Sequence, residues 1–520
     1  MRPSSPSLRI GLSLFSLFVT FLARGDEHLS RFAHKTTRPA GAPRPSDICF
    51  SSRWKRPLNK NDPHETFAAA KSFHATRIDW SYTRTPEFVR EVKKHGYGYF
   101  GTISAELDGT TNRTGRDKSY HGEIVGNPEL DFLAARGDIS SPEYRNLVLA
   151  TVKNLLDGGA DGIYVDDPGM TYHNAVHNHG GYGDASLAKF RTFLPQNSTP
   201  DQRQDWGLPV DLTNFDYAAY VRDHQGKPPA ALHALFFEFH RQAVDEFYQW
   251  LHKETNKFAG GTVPFACNNW SSLLQDEFPF RQHFNFWIGE TSVQYSHPSP
   301  QRLYEKTKHA ETLGKLQCFS PPNDGLDLLP TRESYVSLAR KIVATSYACG
   351  SCTLVPWDVW RRGPKTERFF GTRDEFGDLY DLVATHPPLF NNYEEVSAFV
   401  PDRGPVLPPG LKNSPVTITS TSQEILLTVR AIPNNPHAPV LIHLVDWSET
   451  HPPLSLTLRN APFGGSANAP LKTTLYIPGQ SPTPLKGKTT DSGTETQVDI
   501  TRISPWAILA VESPDSAPKP

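Results

Sequence analysis

Acidic residues stand at the ends of two predicted strands. One strand runs through Asp161-Gly-Ile-Tyr-Val-Asp166, and another ends in Trp287-Ile-Gly-Glu290. A carboxylate is costly in an apolar interior, so an acid that ends a strand indicates a site more than a core. Two carboxyl groups on opposite sides of a bond can protonate the leaving atom and attack or activate water. The sequence therefore predicts Asp166 and Glu290 as a catalytic pair.

Other polar and aromatic residues end further predicted strands, where they would line the rim of one pocket. The residues predicted to contact a ligand are Asp79, Trp80, Tyr164, Asp167, Asn268, Asn269, Trp270, Trp357, Asp358 and Trp360. Asp79 and Asp358 would accept hydrogen bonds from hydroxyl groups, and the tryptophans would offer flat faces for stacking. Arg361 and Arg362 would suit an anionic group, because the guanidinium fork matches anionic oxygens. Each of these residues is equally compatible with an ordinary loop or rim position.

Alternation along the strand determines which way Asp166 faces. Gly162, Tyr164 and Asp166 share one side of the strand, and Asp167 lies on the other. If the small Gly162 and the polar Tyr164 face an enclosed lumen, then Asp166 does too. The alternative is that Asp166 and Asp167 cap the following helix, because carboxylates favour a helix N-terminus.

Short apolar strands alternate with amphipathic helices from residue 46 to about residue 396. The eight predicted strands are 47–51, 76–80, 97–104, 162–166, 263–268, 284–290, 316–319 and 352–357. The predicted helices are 64–73, 86–95, 143–156, 232–258, 301–313, 333–347 and 376–383. The alternation predicts a parallel sheet of the α/β class, and eight strand–helix units predict closure into a (β/α)8 TIM barrel. An open, doubly wound sheet is the alternative, but no Gly-rich phosphate loop follows any strand.

Helical periodicity ends near residue 396. Short alternating strands, separated by Pro, Gly and Ser, are predicted at 415–419, 425–431, 440–446, 454–458, 473–477, 497–500 and 507–511. They predict a C-terminal antiparallel β-sandwich over residues 397–512, followed by a tail at 513–520. The catalytic barrel would accordingly occupy residues 46–396.

The N-terminus is typical of a secretory signal. Positive charge at Arg2 and Arg9 accompanies an apolar run at 10–23, which is short for a bilayer span, and small residues precede Asp26. We expect residues 1–25 to be a cleaved signal peptide and residues 26–45 to be a linker. The protein would then be secreted or periplasmic, and an uncleaved anchor is the alternative.

Composition argues against several classes of partner. The net charge is −2 with 21% charged residues, so we expect no nucleic-acid partner, and no membrane partner after signal cleavage. The five cysteines are scattered, and Cys349 and Cys352 form a lone CxxC motif with no nearby His. Buried thiols are therefore expected rather than a disulfide framework or a zinc site.

The segment Asp161-Gly-Ile-Tyr-Val-Asp166 resembles the strand-4 nucleophile motif of several retaining α-glycosidase families. These include the α-galactosidases and the family 66 dextranases, in whose motif an Asp likewise stands five residues before the nucleophile. The resemblance implies that Asp166 is the nucleophile. In the dextranases, and in the family 101 endo-α-N-acetylgalactosaminidases, the acid/base is a Glu that ends strand 6, which by position maps onto Glu290. The α-galactosidases have Asp there, so the chain departs from them.

A second motif suggests metal chemistry. Asp166-Asp167 and His173-Asn-Ala-Val-His177 superficially resemble the Asp-Asp and His-x-x-x-His elements of polysaccharide deacetylases, although these elements lie much further apart in that family. Two His four residues apart share a face only on a helix, whereas Gly169 and Asn178, with the glycines after it, predict a loop. We therefore expect no metal and no other cofactor.

Together these features predict a secreted glycoside hydrolase that cleaves oligo- or polysaccharides by a retaining two-carboxylate mechanism. A metal-dependent polysaccharide deacetylase is the alternative enzyme. A barrel that binds glycans without cleaving them is the alternative outside enzymology. The sugar, the linkage, endo or exo action and the oligomeric state stay open.

Overall fold

The computed structural model describes residues 28–52, 65–107, 115–126, 135–269, 279–361, 367–466 and 471–514. Seven parallel strands form one sheet in chain order: β1 (Cys49–Phe50), β2 (Arg77–Ser81), β3 (Gly98–Ser104), β4 (Gly162–Asp166), β5 (Phe265–Cys267), β6 (Phe286–Thr291) and β7 (Leu316–Pro322). Residues 353 and 354 then make parallel bridges to both edges of the sheet, through Phe319 of β7 and Cys49 of β1. This eighth position closes the ring and confirms the predicted (β/α)8 barrel.

Helices surround the barrel, and most of them begin at a residue whose side chain caps the first turn. In chain order they are α1 (Thr66–Ser72), α2 (Pro86–Lys94), α3 (Pro142–Asp157), α4 (Met170–His177), α5 (Asp184–Gln196), α6 (Pro200–Asp205), α7 (Tyr217–Asp223), α8 (Ala230–Ala259), α9 (Pro300–Thr312), α10 (Arg332–Ala348) and α11 (Arg373–Thr385). Thr85, Ser141 and Ser299 each accept a backbone N–H at the start of α2, α3 and α9, with Pro as the first helical residue. The seven predicted helices are present with small shifts at their ends.

Helices α4 to α7 form an insertion between β4 and α8. Aromatic residues such as Phe190, Tyr217 and Phe236 pack there in a hydrophobic cluster of their own, to which α8 contributes. The sequence interpretation placed no helix between β4 and α8. Because the insertion follows the C-terminal end of a barrel strand, it lies on the face where barrel enzymes carry their sites.

Side chains at alternate strand positions fill the lumen of the barrel. Phe100 of β3 and Phe286 of β6 meet edge to face, with ring centroids 5.3 Å apart, although two strands lie between theirs. A Cβ at Gly162 would lie 2.3 Å from the Phe100 ring, so this close approach requires glycine. One layer higher, the Tyr164 hydroxyl donates to a backbone carbonyl of β6 at 3.0 Å. Gly162 and Tyr164 thus face the lumen, and alternation directs Asp166 the same way.

Two antiparallel sheets follow the barrel. Their strands are β8 (Glu394–Val400), β9 (Gly404–Val406), β10 (Val416–Ser420), β11 (Ile425–Ala431), β12 (Val440–Asp446), β13 (Leu454–Arg459), β14 (Lys472–Tyr476), β15 (Thr483–Leu485), β16 (Lys488–Thr489), β17 (Glu495–Ile500) and β18 (Trp506–Glu512). One sheet has the order β9-β8-β11-β12-β18-β14-β15 and the other β10-β13-β17-β16. Apolar residues of both sheets, including Val429, Leu456 and Val498, share one buried core. This confirms the predicted C-terminal sandwich.

The chain is well packed around both predicted domain boundaries. Leu29 and Ala33, within the predicted linker 26–45, lie in the core of the sandwich. Strand β8 pairs with β11 and crosses residue 396. The boundaries remain predictions, and the predicted signal peptide lies outside the described residues. Within the part of the chain that the structure describes, no helix combines the length and the apolar character needed to cross a bilayer.

A polar contact joins barrel helix α9 to the sandwich. The Tyr304 hydroxyl donates to Glu395 Oε1 at 2.7 Å, and Lys308 Nζ lies 3.1 Å from Glu395 Oε2. The Glu395 side chain is 13% exposed. Because this carboxylate serves both a buried hydroxyl and an ammonium group, it ties the two domains together.

We expect Glu395→Ala to lower the free energy of unfolding by about 2 kcal/mol, because a buried hydroxyl and an ammonium group lose their acceptor. Glu394→Ala is the matched control, since the neighbouring glutamate binds Thr36 at an exposed position. We expect the control to change the free energy of unfolding by less than ~0.5 kcal/mol. Urea unfolding measures both variants, and equal losses would contradict this role of Glu395.

Candidate active site

Three hydrogen-bond donors hold Asp166 at the C-terminal end of β4. Its Oδ1 accepts from Asn268 Nδ2 at 3.1 Å and from the Asp167 backbone N–H at 3.0 Å. Its Oδ2 accepts from the Tyr82 hydroxyl. Three donors from three segments fix the direction of the carboxylate, and hydrogen bonds to a charged acceptor are stronger than neutral ones. Asp166 is therefore positioned as an oriented carboxylate, partly exposed at the rim of the lumen.

Glu290 lies on β6, the second strand along from β4. Phe286 points into the lumen, and alternation from Phe286 predicts that Glu290 faces the same way, in a stretch where the pairing of β6 with β7 shifts register between Gly289 and Thr291. The Glu290 side chain is half-buried, so it is accessible from the rim. One strand separates β4 from β6, which places their backbones roughly 10 Å apart. Two carboxylates that point inward across that gap suit a pair acting on opposite sides of one bond.

Asp167 does not share the environment of Asp166. It is paired with Arg136, whose Nη1 also donates to Asn174 Oδ1 at 2.8 Å. Asn174 in turn donates through Nδ2 to Asp117 at 2.7 Å. Burial, together with the neighbouring Asp138, raises the pKa of Asp117 to about 7. These buried hydrogen bonds join the end of β4 and helix α4 of the insertion to Asp117 and Arg136, which lie between β3 and α3.

Of the twelve non-glycine residues with positive φ in the described part of the chain, three lie near the ends of barrel strands. Trp80, Asp167 and Asp358 all have positive φ, at 56°, 52° and 56°. Non-glycine residues in this region cost free energy and persist only where surrounding contacts hold them. Asp167 directly follows β4, Trp80 is the last residue but one of β2, and Asp358 lies four residues beyond the bridge at Leu354.

The two acids predicted as hydroxyl acceptors are both paired with arginine. Asp79 is fully buried and accepts from Arg77 Nε and Nη2, each at 2.7 Å. Asp358 is 1% exposed and is bonded to Arg368. The Asp79 carboxylate thus balances a buried cation, and the buried Asp358 carboxylate is bonded to an arginine that is itself exposed. Both pairings are local, because each arginine lies within ten residues of its aspartate.

The predicted stacking residues are placed differently from one another. Trp80 is 1% exposed and stacks on Tyr164, with ring centroids 4.9 Å apart. Trp357 is 4% exposed and packs against Phe50 at 5.0 Å. Both rings therefore fill the barrel instead of forming open platforms. Trp360 is half-buried on a short strand, and Trp270 lies outside the described residues.

Among the predicted amide and arginine residues, one contacts Asp166 and two others are engaged in hydrogen bonds elsewhere in the protein. Asn268 touches Asp166, whereas Asn269 exchanges hydrogen bonds with Gln317 at 2.7 and 3.2 Å. Arg361 donates to two backbone carbonyls at 2.9 and 2.8 Å, so its guanidinium is engaged in structure rather than turned to an anion. Arg362 lies outside the described residues.

The loop predicted around His173 and His177 is wrong. Helix α4 spans Met170–His177, with Gly169 as its N-cap and Asn178 as its C-cap. These residues end the helix instead of interrupting it, because glycine and asparagine tolerate cap geometry. Neither aspartate caps α4, since its N-terminus has no side-chain cap, which also excludes the capping alternative.

The two histidines do share a face of α4, with ring centroids 4.8 Å apart. Burial is the main cause that lowers the pKa of His173 to about 4. Within the described residues, no group of three or more His, Cys, Asp or Glu side chains is arranged to hold a metal ion. Among the residues that the structure describes, the pair is therefore not joined by the further protein ligands that a metal site normally needs.

Sequence reasoning missed Tyr82 and Arg136. Tyr82 stands one residue beyond β2, so its place after a barrel strand was the available signal. Arg136 stands far from Asp167 in sequence, in a short strand that carries no recognisable motif. Its contact with Asp167 depends on the fold.

No family model matches this chain, and no curated protein sequence matches it either. A solved structure, the Paenibacillus sp. cycloisomaltooligosaccharide glucanotransferase complexed with cycloisomaltoheptaose, aligns with a TM-score of 0.50 and 8% identity, over 90% of this chain and 85% of that chain. The chain shares that fold. The native debranching enzyme of Nostoc punctiforme aligns with a TM-score of 0.45 and 9% identity, over 92% and 100%. The site must therefore be interpreted from this chain's own residues.

We expect Tyr82→Phe to lower kcat/KM about tenfold, because one donor to Asp166 is lost and roughly 1.4 kcal/mol corresponds to that factor. The ring remains, so packing should change little. Tyr97→Phe serves as the control, since Tyr97 lies at the opposite end of the barrel, next to Gly98 at the start of β3. Steady-state kinetics would contradict the role of Tyr82 if both variants kept full activity.

Proposed function

We propose that this chain is a retaining glycoside hydrolase that acts on oligo- or polysaccharides. The observation that carries the proposal is the setting of Asp166, a strand-end carboxylate held by Tyr82, Asn268 and a backbone N–H. Glu290, which strand alternation predicts to face the lumen, lies two strands away. The glucanotransferase that shares the fold is complexed with cycloisomaltoheptaose, which supports a carbohydrate as the ligand.

The first step would form a covalent intermediate. An oxygen of Asp166 attacks the anomeric carbon while Glu290 donates its proton to the glycosidic oxygen. The bond between carbon and that oxygen breaks, the leaving sugar departs as an alcohol, and a glycosyl ester of Asp166 remains. The donors around Asp166 hold its carboxylate in the direction of attack, so the carboxylate has little orientational freedom left to lose in the reaction.

The second step would release the sugar. Glu290, now ionised, takes a proton from water, and the water oxygen attacks the anomeric carbon. The ester bond breaks and Asp166 regains its negative charge. Because the anomeric carbon is inverted twice, the product keeps the configuration of the substrate.

Proton NMR during cleavage of a panel of oligosaccharides tests this function. We expect the first hemiacetal released to have the substrate's anomeric configuration. An inverted product would make Asp166 a general base that activates water and would reject the retaining mechanism. Binding without cleavage across the panel would instead support the glycan-binding barrel.

Metal removal separates the proposed hydrolase from a deacetylase. We expect EDTA to leave glycoside hydrolysis unchanged, and His173→Ala combined with His177→Ala to cost less than about threefold in kcat, because neither imidazole is given a chemical step. Release of acetate from an acetylated glycan provides the parallel assay. Activity that is lost with EDTA and restored by zinc would favour the deacetylase.

The location of the enzyme rests on the N-terminal sequence alone. We propose that residues 1–25 direct secretion and that the mature protein acts outside the cytoplasm, as a secreted or periplasmic enzyme. N-terminal sequencing of the exported protein would test this, with a start near Asp26 as the expected result.

A further inference from the structure

Three of the five cysteines form one buried cluster in the wall of the barrel. Cys49 lies on β1, Cys318 lies on β7, and Cys352 immediately precedes the segment that closes the ring. The sulfur of Cys352 is 3.3 Å from that of Cys49 and 3.2 Å from that of Cys318. All three are free thiols in this structure, as are the buried Cys267 and Cys349.

The cluster stands where the barrel closes. The eighth position makes one bridge to β7 and one to β1, whereas β3 and β4 pair over five residues. We call these two bridges the seam of the barrel. Cys352 lies next to the seam, and Cys49 and Cys318 lie on β1 and β7, the two strands that the seam joins. A covalent link at this point would therefore reinforce the most weakly paired part of the ring.

We propose that Cys352 and Cys318 form a disulfide bond when the chain folds in an oxidising compartment, with Cys49 left as the adjacent thiol. A disulfide holds its sulfurs about 2 Å apart, so the pair must approach by roughly 1 Å, which small side-chain rotations can supply. The two cysteines are 34 residues apart, against 303 for Cys49 and Cys352. Of the two sulfur contacts in the cluster, this pair closes the shorter loop at the lower cost in entropy.

The charges around the cluster favour the same pair. Burial alone would raise the pKa of the Cys318 thiol, but the hydrogen bond from Cys352 and the guanidinium groups of Arg38 and Arg77 lower it below its usual value. Burial raises the pKa of Cys49 to about 11. Cys318 is thus the better source of thiolate, which is the species that attacks a disulfide.

The oxidant would be a small disulfide such as oxidised glutathione. The Cys318 thiolate attacks one of its sulfurs, a mixed disulfide forms, and one small thiolate leaves. The Cys352 thiolate then attacks the Cys318 sulfur and displaces the second small thiolate. Two cysteine thiols are oxidised, and one small disulfide is reduced to two thiols, which take up the two protons that the cysteines lose. Because the cluster is buried in the folded barrel, the exchange belongs to a late stage of folding, when Arg38 and Arg77 already lie beside Cys318 and the ring is still open to a small disulfide.

The full chain should be produced both in an oxidising secretory compartment and in a reducing cytoplasm, then denatured and alkylated with N-ethylmaleimide. We expect three adducts on the oxidised protein and five after reduction. Peptide mapping should find one linkage, between Cys318 and Cys352. Five adducts on the secreted protein, or a linkage between any other pair, would overturn the proposal.

Stability provides a second readout. We expect the oxidised protein to melt several degrees above its reduced form, because the crosslink restricts the unfolded chain. Cys352→Ser should abolish this difference, and Cys267→Ser, at a buried thiol that is not part of the cluster, should preserve it. If oxidation leaves the melting temperature unchanged or lowers it in the wild type, the disulfide does not reinforce the seam.

Discussion

Asp166→Asn should reduce kcat by at least about a thousandfold while leaving the affinity for oligosaccharide largely intact. The amide keeps the shape of the carboxylate, so a bound sugar meets almost the same surface. It lacks the charge needed to attack the anomeric carbon, and losing a covalent nucleophile costs several kcal/mol of transition-state stabilisation. Isothermal titration and steady-state kinetics measure the two quantities separately.

The matched control is Asp161→Asn, at the other end of the same predicted motif. Asp161 is paired with Lys93 at 2.6 Å and accepts the Tyr99 backbone N–H at 2.8 Å, so its role is structural. We expect this variant to keep at least half of the wild-type kcat. Similar losses in the two variants would indicate that the strand was disturbed, and the assignment of Asp166 would lose its support.

Glu290→Gln should affect substrates according to their leaving groups. Natural glycosides leave as alkoxides and need a proton, so we expect kcat/KM for them to fall by about a hundredfold to ten-thousandfold. An aryl glycoside with an acidic phenol needs no proton, so its first step should be nearly unaffected. Full activity on natural glycosides would remove Glu290 from the mechanism.

Azide distinguishes loss of the acid/base from general damage to the site. In Glu290→Ala a small anion can enter the vacated space and attack the glycosyl ester without base assistance. We expect azide to restore turnover of the aryl glycoside and to produce a glycosyl azide of retained configuration. The same concentration should not restore Asp166→Asn, because that variant forms no ester. Rescue of both variants, or of neither, would contradict the division of roles.

The barrel was predictable because its signal is repeated and local. Strand β4 was located to the residue, since apolar alternation begins at Gly162 and ends at acidic residues before a proline. The helices at 86–94 and 142–157 carry cap and proline signals at their first turns. The insertion was missed because its cap residues, Gly169 and Asn178, also favour turns, and no sequence rule separates a capped short helix from a loop there.

The position of the site could be predicted from the sequence, whereas the contacts between its side chains could be predicted only in part. Strand order and alternation placed Asp166 and Asn268 at one rim, and the structure brings them together. The pairing of Asp79 with Arg77 and the burial of Trp80 were not predicted. The pairing was available as a local signal, because residues two apart share a side of a strand, but the sequence interpretation gave Asp79 to a ligand instead. The burial of Trp80 accompanies a positive φ, which local pattern does not determine.

The most direct test of the account is to trap the intermediate. A panel of 2-deoxy-2-fluoroglycosyl fluorides should be incubated with the wild-type chain. The fluorine at C2 slows both formation and hydrolysis of the glycosyl ester, whereas the good leaving group speeds only its formation, so the ester accumulates. We predict that one member inactivates the enzyme and that peptide mass spectrometry finds a single added sugar on Asp166. A sugar on another carboxylate would contradict the account, as would a chain that cleaves glycosides with inversion and is never labelled.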